Sequence, residues 1–247
     1  IVVCIAMMVP TVAFAATSSP AKVDVKSATA KSLTYNAKSQ TTTIVVNGKT
    51  LTLNKDFKVV SGSLKATKAG TYTVKIKGIG NYSGDTTVKY TVNAQQSYKA
   101  TAAAKTYNAK NQTTKVTVKY GNTVLKRGTD YKITGVTKAK NAGKYKITVK
   151  GINNYKGTKT IYYTINKAAQ KSVKVKVNAS KKKITVSGVK AKAKVTYKSA
   201  NKKVKVKNGK ITVGKGVKKG TKVRITVKVA ATKNYKAYSK SIIYKVK

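Results

Sequence analysis

The sequence predicts an all-β fold built of tandem β-sandwich domains, and three observations lead there. First, apolar and charged residues alternate with period two. Tyr145, Ile147 and Val149 alternate with Lys146, Thr148 and Lys150; Val223, Ile225, Val227 and Val229 alternate with Lys222, Arg224, Thr226 and Lys228; Val173, Val175 and Val177 alternate with Lys174 and Lys176. Such runs form strands with one face in a core and the other in water. Second, turn pairs such as Asn47-Gly48, Gly121-Asn122 and Asn208-Gly209 divide the runs at the short spacing of a sandwich. Third, the chain repeats itself at a domain-sized offset, longer than a solenoid period.

Residues 1–15 carry no charge and are nearly all apolar or small. The run is shorter than the roughly 20 residues a spanning helix needs. Pro10 and the Ala13-Phe14-Ala15 site predict a signal peptide that ends at Ala15, with the usual methionine and basic start missing, as in a sequence clipped at its beginning. The competing reading is a buried N-terminal strand. Cys4, Met7 and Met8 all lie in this run, so the predicted mature chain has no cysteine and no disulfide, although it is exported. Residues 16–31 are expected as a flexible start.

Residues 32–93 form a first repeat and residues 105–166 a second. Tyr35-Asn36-Ala37-Lys38 returns as Tyr107-Asn108-Ala109-Lys110, Asp56-Phe57-Lys58 as Asp130-Tyr131-Lys132, and Asn81-Tyr82-Ser83-Gly84 as Asn154-Tyr155-Lys156-Gly157. Residues 94–104, rich in Ala and Gln, and residues 167–171 read as linkers. A third domain, residues 172–247, keeps only the end of the pattern: Gly220 to Lys228, then Asn234-Tyr235-Lys236. Tyr72, Tyr90, Tyr145, Tyr163 and Tyr244 fall on the inward phase and supply ring bulk to cores without Trp; Tyr162 falls on the outward phase.

Leu125-Lys126-Arg127-Gly128-Thr129-Asp130-Tyr131, Asn141-Ala142-Gly143-Lys144-Tyr145 and Gly151-Ile152-Asn153-Asn154-Tyr155-Lys156-Gly157 resemble bacterial immunoglobulin-like repeats of secreted and surface proteins, found in Gram-positive and often clostridial species. The first repeat carries the same series, and the third domain, from Val195-Thr196-Tyr197-Lys198 onward, is similar to another bacterial immunoglobulin-like type. The resemblance implies tandem immunoglobulin-like sandwiches outside the cell, where such repeats serve as adhesins, spacers and appendages.

The inventory of reactive groups argues against catalysis. There is no His and no Glu, and the four acids are Asp24, Asp56, Asp85 and Asp130. A Ser-His-Asp or Cys-His site cannot be assembled, zinc lacks nitrogen and sulfur ligands, and calcium lacks a carboxylate cluster. Asp56 and Asp130 are repeat equivalents and read as turn residues. No cofactor or metal is expected.

What the chain has in excess is lysine. Lys and Arg total 54, only Arg127 and Arg224 being arginine, and the formal net charge is +50. Residues 172–247 hold 24 Lys and Arg224 with no acid. On the outward phase stand Lys174, Lys176, Lys203, Lys205, Lys207, Lys222, Arg224 and Lys228 of the third domain, and Lys115, Lys119, Lys146 and Lys150 of the second repeat. These are the candidate binding residues. Lysine also guards edge strands against aggregation, but that does not explain the missing acids, since soluble surfaces mix both signs. The expected partners are anionic polymers: teichoic acid, acidic polysaccharide, sialylated or sulfated mucin-type glycans, or DNA. Lysine acts as a point charge without the bidentate fork of arginine, which favours non-specific polyanion binding over sequence reading. The expected function is a secreted, wall- or surface-associated adhesive protein. A nucleic-acid-binding matrix protein and a structural spacer from a larger adhesin are the alternatives.

Overall fold

The computed structural model describes residues 20–247; the expected signal peptide, with Cys4, Met7 and Met8, lies outside the described residues. The chain divides into two compact units, with the division between Gln95 and Gln96.

In the first unit a four-stranded sheet runs in the order Leu33–Thr34, Asp85–Asn93, Gly70–Gly78, Phe57–Gly62. A three-stranded sheet of Thr29–Ala30, Ile44–Val46 and Lys49–Thr50 accompanies it. Val74 and Ile76 from one sheet and Ile44 and Val46 from the other close a single core with Phe57, Val88, Tyr90 and Val92. Between them Thr73, Lys75 and Lys77 face water, so the period-two pattern becomes one buried and one wet face. The strand Phe57–Gly62 carries an irregular register between Val59 and Ser61. Gly62 ends it at φ +81°, where an added Cβ would strike the carbonyl oxygen of Thr73; the equivalent Gly135, at φ +98°, would place a Cβ 2.6 Å from the carbonyl oxygen of Lys146. Only glycine fits this approach in both repeats.

The second unit holds two sandwiches. One repeats the topology of the first unit, with a four-stranded sheet in the order Lys105–Thr106, Thr158–Asn166, Gly143–Gly151, Tyr131–Gly135 and a three-stranded sheet of Lys99–Ala102, Val116–Tyr120 and Thr123–Val124. The other sets the sheet Lys174–Asn178, Lys183–Ser187, Lys210–Val213, Val204–Lys207 against Val195–Ser199, Lys222–Val229, Tyr238–Lys245. Ile184, Val204 and Ile211 meet Val223, Ile225, Val227 and Tyr244 in its core. The chain is thus all-β, made of tandem immunoglobulin-like sandwiches; among the described residues the single helical element is the 3-10 turn Val25–Ser27.

The segments expected as a flexible start and as linkers carry strands and core side chains. Val23–Asp24 pairs in parallel with Tyr82–Ser83, and Val25 is fully buried. In residues 94–104, Tyr98 is buried and Lys99–Ala102 pairs with Val116–Tyr120. In residues 167–171, Ala168 bridges to Tyr235, and the buried Gln170 donates to the carbonyls of Ala230 and Lys236 at 3.3 and 3.2 Å and accepts from the Lys190 amide at 3.1 Å. These segments are too short to show a period of their own. The first and last of them find backbone partners at the turns Asn81-Tyr82 and Asn234-Tyr235, and the middle one at the strand Val116–Tyr120.

Asn234 also joins the two sandwiches of the second unit. Its Oδ1 accepts from the Ala142 amide at 2.8 Å and its Nδ2 donates to Asn141 Oδ1 at 3.0 Å. The neighbouring Tyr235 meets the edge of Tyr107, with ring centroids 5.3 Å apart. Among the described residues no helix is long and apolar enough to cross a membrane.

Candidate functional site

All twelve candidate cations are exposed. Inward neighbours hold their backbones. Lys222, Arg224 and Lys228 alternate with Val223, Ile225, Val227 and Val229, each at most 3% exposed, so the charged side chains project outward from a fixed strand. Lys174 and Lys176 do the same around Val175, and Lys205 and Lys207 around Val206.

The register then brings cations together in a way that the sequence does not show. Lys183 pairs with Lys210, and Lys210 pairs with Lys207. Three lysines therefore stand side by side across three neighbouring strands of one sheet, with directly opposed side chains about 5 Å apart at Cβ. On the other sheet Lys222 faces Lys245, while Arg224 faces Ile243 and Lys228 faces Ser239. In the second sandwich Lys119 faces Lys99, Lys150 faces Lys132, and Lys146 faces Tyr162. Tyr162 is 50% exposed, as its outward phase predicts, with Lys144 Nζ 4.4 Å from its ring centroid. Like charges opposed across a sheet destabilise it, so these rungs oppose folding.

The twelve do not make one patch. Lys146 and Lys150 lie on the four-stranded sheet of the second sandwich and Lys119 on its three-stranded sheet. Lys115 immediately precedes the strand Val116–Tyr120. Lys203 is in the turn before Val204–Lys207 rather than on the strand; its amide donates to Asn201 Oδ1 at 2.8 Å and its carbonyl accepts from the Gly214 amide at 2.7 Å. Around Lys205 and Lys207, however, the structure assembles a groove of about 550 Å³ that also takes in Tyr197, Lys198, Asn201 and Lys202. Lys183 and Lys210 were legible as outward positions beside Ile184 and Ile211. Their convergence with Lys207, and that of Lys198 and Lys202 with Lys205, depends on strand pairing.

The acids do not neutralise this surface. Asp24 lies 3.8 Å from Lys26 and Asp85 3.3 Å from Lys75, both in the first unit. Asp56 accepts from the Thr52 amide and Asp130 from the Lys126 amide, each at 2.8 Å, the turn-fixing role expected for them. Among the described residues no three His, Cys, Asp or Glu side chains gather as a metal site. Tyr82 and Tyr155, beneath the Asn-Tyr turns, are 6% and 3% exposed and present no ring face for stacking. Burial pushes the phenols of Tyr90, Tyr98, Tyr163 and Tyr197 above their ordinary range.

Four strands set against three define an immunoglobulin-like repeat architecture. No known protein family matches the chain, and no curated protein matches it. Solved structures to which it is similar include Drosophila N-cadherin EC1-4, at 11% identity over 94% of this chain and 74% of that one with a TM-score of 0.25. Sidekick-1 immunoglobulin domains 1-5 match at 12% identity over 90% and 58%, TM-score 0.25. The human desmocollin-1 ectodomain matches at 10% identity over 89% and 60%, TM-score 0.24. At these scores the similarity adds nothing to the fold read from the sheets themselves.

Proposed function

We propose that this chain is an exported, non-catalytic adhesive protein that holds anionic polymers, teichoic acid and acidic or mucin-type glycans among them, at a bacterial wall or cell surface. The observation that carries the reading is the rung Lys183–Lys210–Lys207 in a domain with no acid between residues 172 and 247. Opposed ammoniums repel, and small counterions must gather over them. A polyanion replaces those ions, and their release drives association. Lysine supplies charge without the planar fork of arginine, so the surface selects for charge density more than for sequence.

The test is retention of the protein on walls bearing teichoic acid, on walls stripped of it, on an immobilised acidic glycan and on duplex DNA, each across a salt series. The expected result is retention that falls linearly with log salt and drops on stripping. Preference for DNA at every salt would instead establish the nucleic-acid reading. Retention indifferent to salt on every support would overturn both.

A further inference from the structure

The third sandwich is open along one side, where the edge strand of each sheet runs beside the other. Val195–Ser199 ends the three-stranded sheet and Val204–Lys207 ends the four-stranded one. The groove of about 550 Å³ beside them is lined by Lys198 from the first strand, Lys202 from the turn that joins the two, and Lys205 and Lys207 from the second. Lys207 is also the last member of the rung Lys183–Lys210–Lys207. Positive charge therefore continues from the face of the four-stranded sheet, over its edge, into a shallow groove.

Neutral hydrogen-bonding groups stand among these charges. Tyr197 is half-buried in the groove wall, and its hydroxyl has no hydrogen-bond partner among the described residues. Asn201, whose Oδ1 accepts from the Lys203 amide at 2.8 Å, also lines the groove. The Tyr197 hydroxyl is open to water, and a ligand that brings hydroxyls of its own replaces that water with a direct hydrogen bond.

We propose that this groove seats a single strand of acidic glycan, with carboxylate or sulfate groups on Lys198, Lys202, Lys205 and Lys207 and sugar hydroxyls on Tyr197 and Asn201. The proposal rests on the adhesive reading above and locates its selective site. Three features favour a glycan. The groove's volume falls in the range of small-ligand sites, about 300–1,000 Å³. Its lysines come from both edge strands and the turn between them, so a linear chain lying along it meets charges in succession. Its one aromatic lining residue, Tyr197, is half-buried, unlike the exposed rings that single-stranded nucleic acid stacks on.

The experiment measures equilibrium binding of the full chain to short oligogalacturonate, to heparin oligosaccharide and to single-stranded DNA of equal charge, at about 50 and 200 mM salt. One variant carries Lys198→Gln, Lys202→Gln, Lys205→Gln and Lys207→Gln. A control removes the same charge from the first unit through Lys49→Gln, Lys55→Gln, Lys65→Gln and Lys68→Gln. The groove variant should lose glycan affinity by about tenfold or more and lower the log–log salt slope by about 3, at roughly 0.7 for each lysine–anion pair removed, while the control changes affinity less than about threefold. Tyr197→Phe should cost about threefold to tenfold on the oligosaccharides and leave DNA binding unchanged. Equal losses in the two charge variants would overturn the groove while leaving the adhesive reading intact. Tighter DNA than glycan binding with Tyr197→Phe silent would overturn the glycan assignment. Failure of the unaltered chain to bind any of the three at low salt would overturn the adhesive reading itself.

Discussion

Lys210→Glu tests whether the lysine rung costs stability. Lys210 is paired on one side with Lys183 and on the other with Lys207, and all three are exposed. At a charge separation of about 6 Å in water each pair is worth about 0.7 kcal/mol. The substitution removes two repulsions and adds two attractions, about 3 kcal/mol without screening. With a Debye length of about 10 Å at 0.1 M salt, roughly half of that survives, about 1.5 kcal/mol. Because the chain has two units, a single unfolding midpoint mixes events, so the assay is native-state hydrogen exchange. The amides of Ile184 and Ile211, which bond to the Gly209 and Lys182 carbonyls at 2.7 and 2.8 Å, report the local opening. Their protection should rise about tenfold at 0.1 M salt, since about 1.4 kcal/mol is a factor of ten, and the gain should nearly vanish at about 1 M, where the Debye length is about 3 Å. Unchanged or reduced protection at low salt would refute the reasoning. So would a gain that persists at high salt, which would assign the effect to something other than charge.

Two tyrosine substitutions should act with opposite sign. Tyr98 donates to the Gly157 carbonyl at 2.8 Å and accepts from the Gly151 amide at 3.0 Å, so Tyr98→Phe should destabilise the second sandwich by about 1–2 kcal/mol. The hydroxyl of Tyr244 is buried without a partner, so Tyr244→Phe should be neutral or stabilising by up to about 1 kcal/mol; exchange at Ile147 and Ile225 reads the two cores separately. Raising the pH at about 1 M salt should weaken folding above pH about 10: burial raises the phenols of Tyr90, Tyr98, Tyr163 and Tyr197, so the unfolded chain loses these protons first, and stability present below that pH is lost above it. Far-ultraviolet circular dichroism at a fixed denaturant concentration, followed across that pH range, would show the loss. Asn234→Ala should accelerate exchange at the Ala142 amide about tenfold, the loss of the part-buried hydrogen bond that this amide donates, while leaving exchange at Ile225 unaltered.

Period-two alternation made the strands legible, because burial on one face and water on the other leave a local trace at every second residue. Val223 to Lys228 reads the same way in sequence and structure. What left no local trace is pairing. Lys183 and Lys210 look like any other outward lysines, and only the register across three strands makes them neighbours. Tyr98 stands among Gln, Ser and Ala, so nothing nearby marks it as core; its partners, Gly151 and Gly157, lie more than fifty residues away. Asn234 reads as a turn residue, and its side chain proves to bond across two domains.

The lysines separate by what the fold explains. Lys240 sits on the inward phase between Tyr238 and Ile242, opposite Val227 on the edge strand Tyr238–Lys245, yet stays exposed. An inward-pointing charge on an edge strand is a guard against sheet-to-sheet association, and no ligand is needed to account for it. The outward lysines differ. In the first sandwich Lys77 stands between Lys58 and Asp85, whereas the equivalent Lys150 stands between Lys132 and Thr158. The same rung is built with an acid in one repeat and without one in the next, so strand and register do not require the acid to be absent. Outward positions also accept threonine, as at Thr87, Thr160 and Thr226, and threonine suits a strand better than lysine. A sequence selected for folding alone would place threonine and opposite charges at these sites. The lysines that remain there, against their mutual repulsion, are the ones on which the proposed binding of anionic polymers rests.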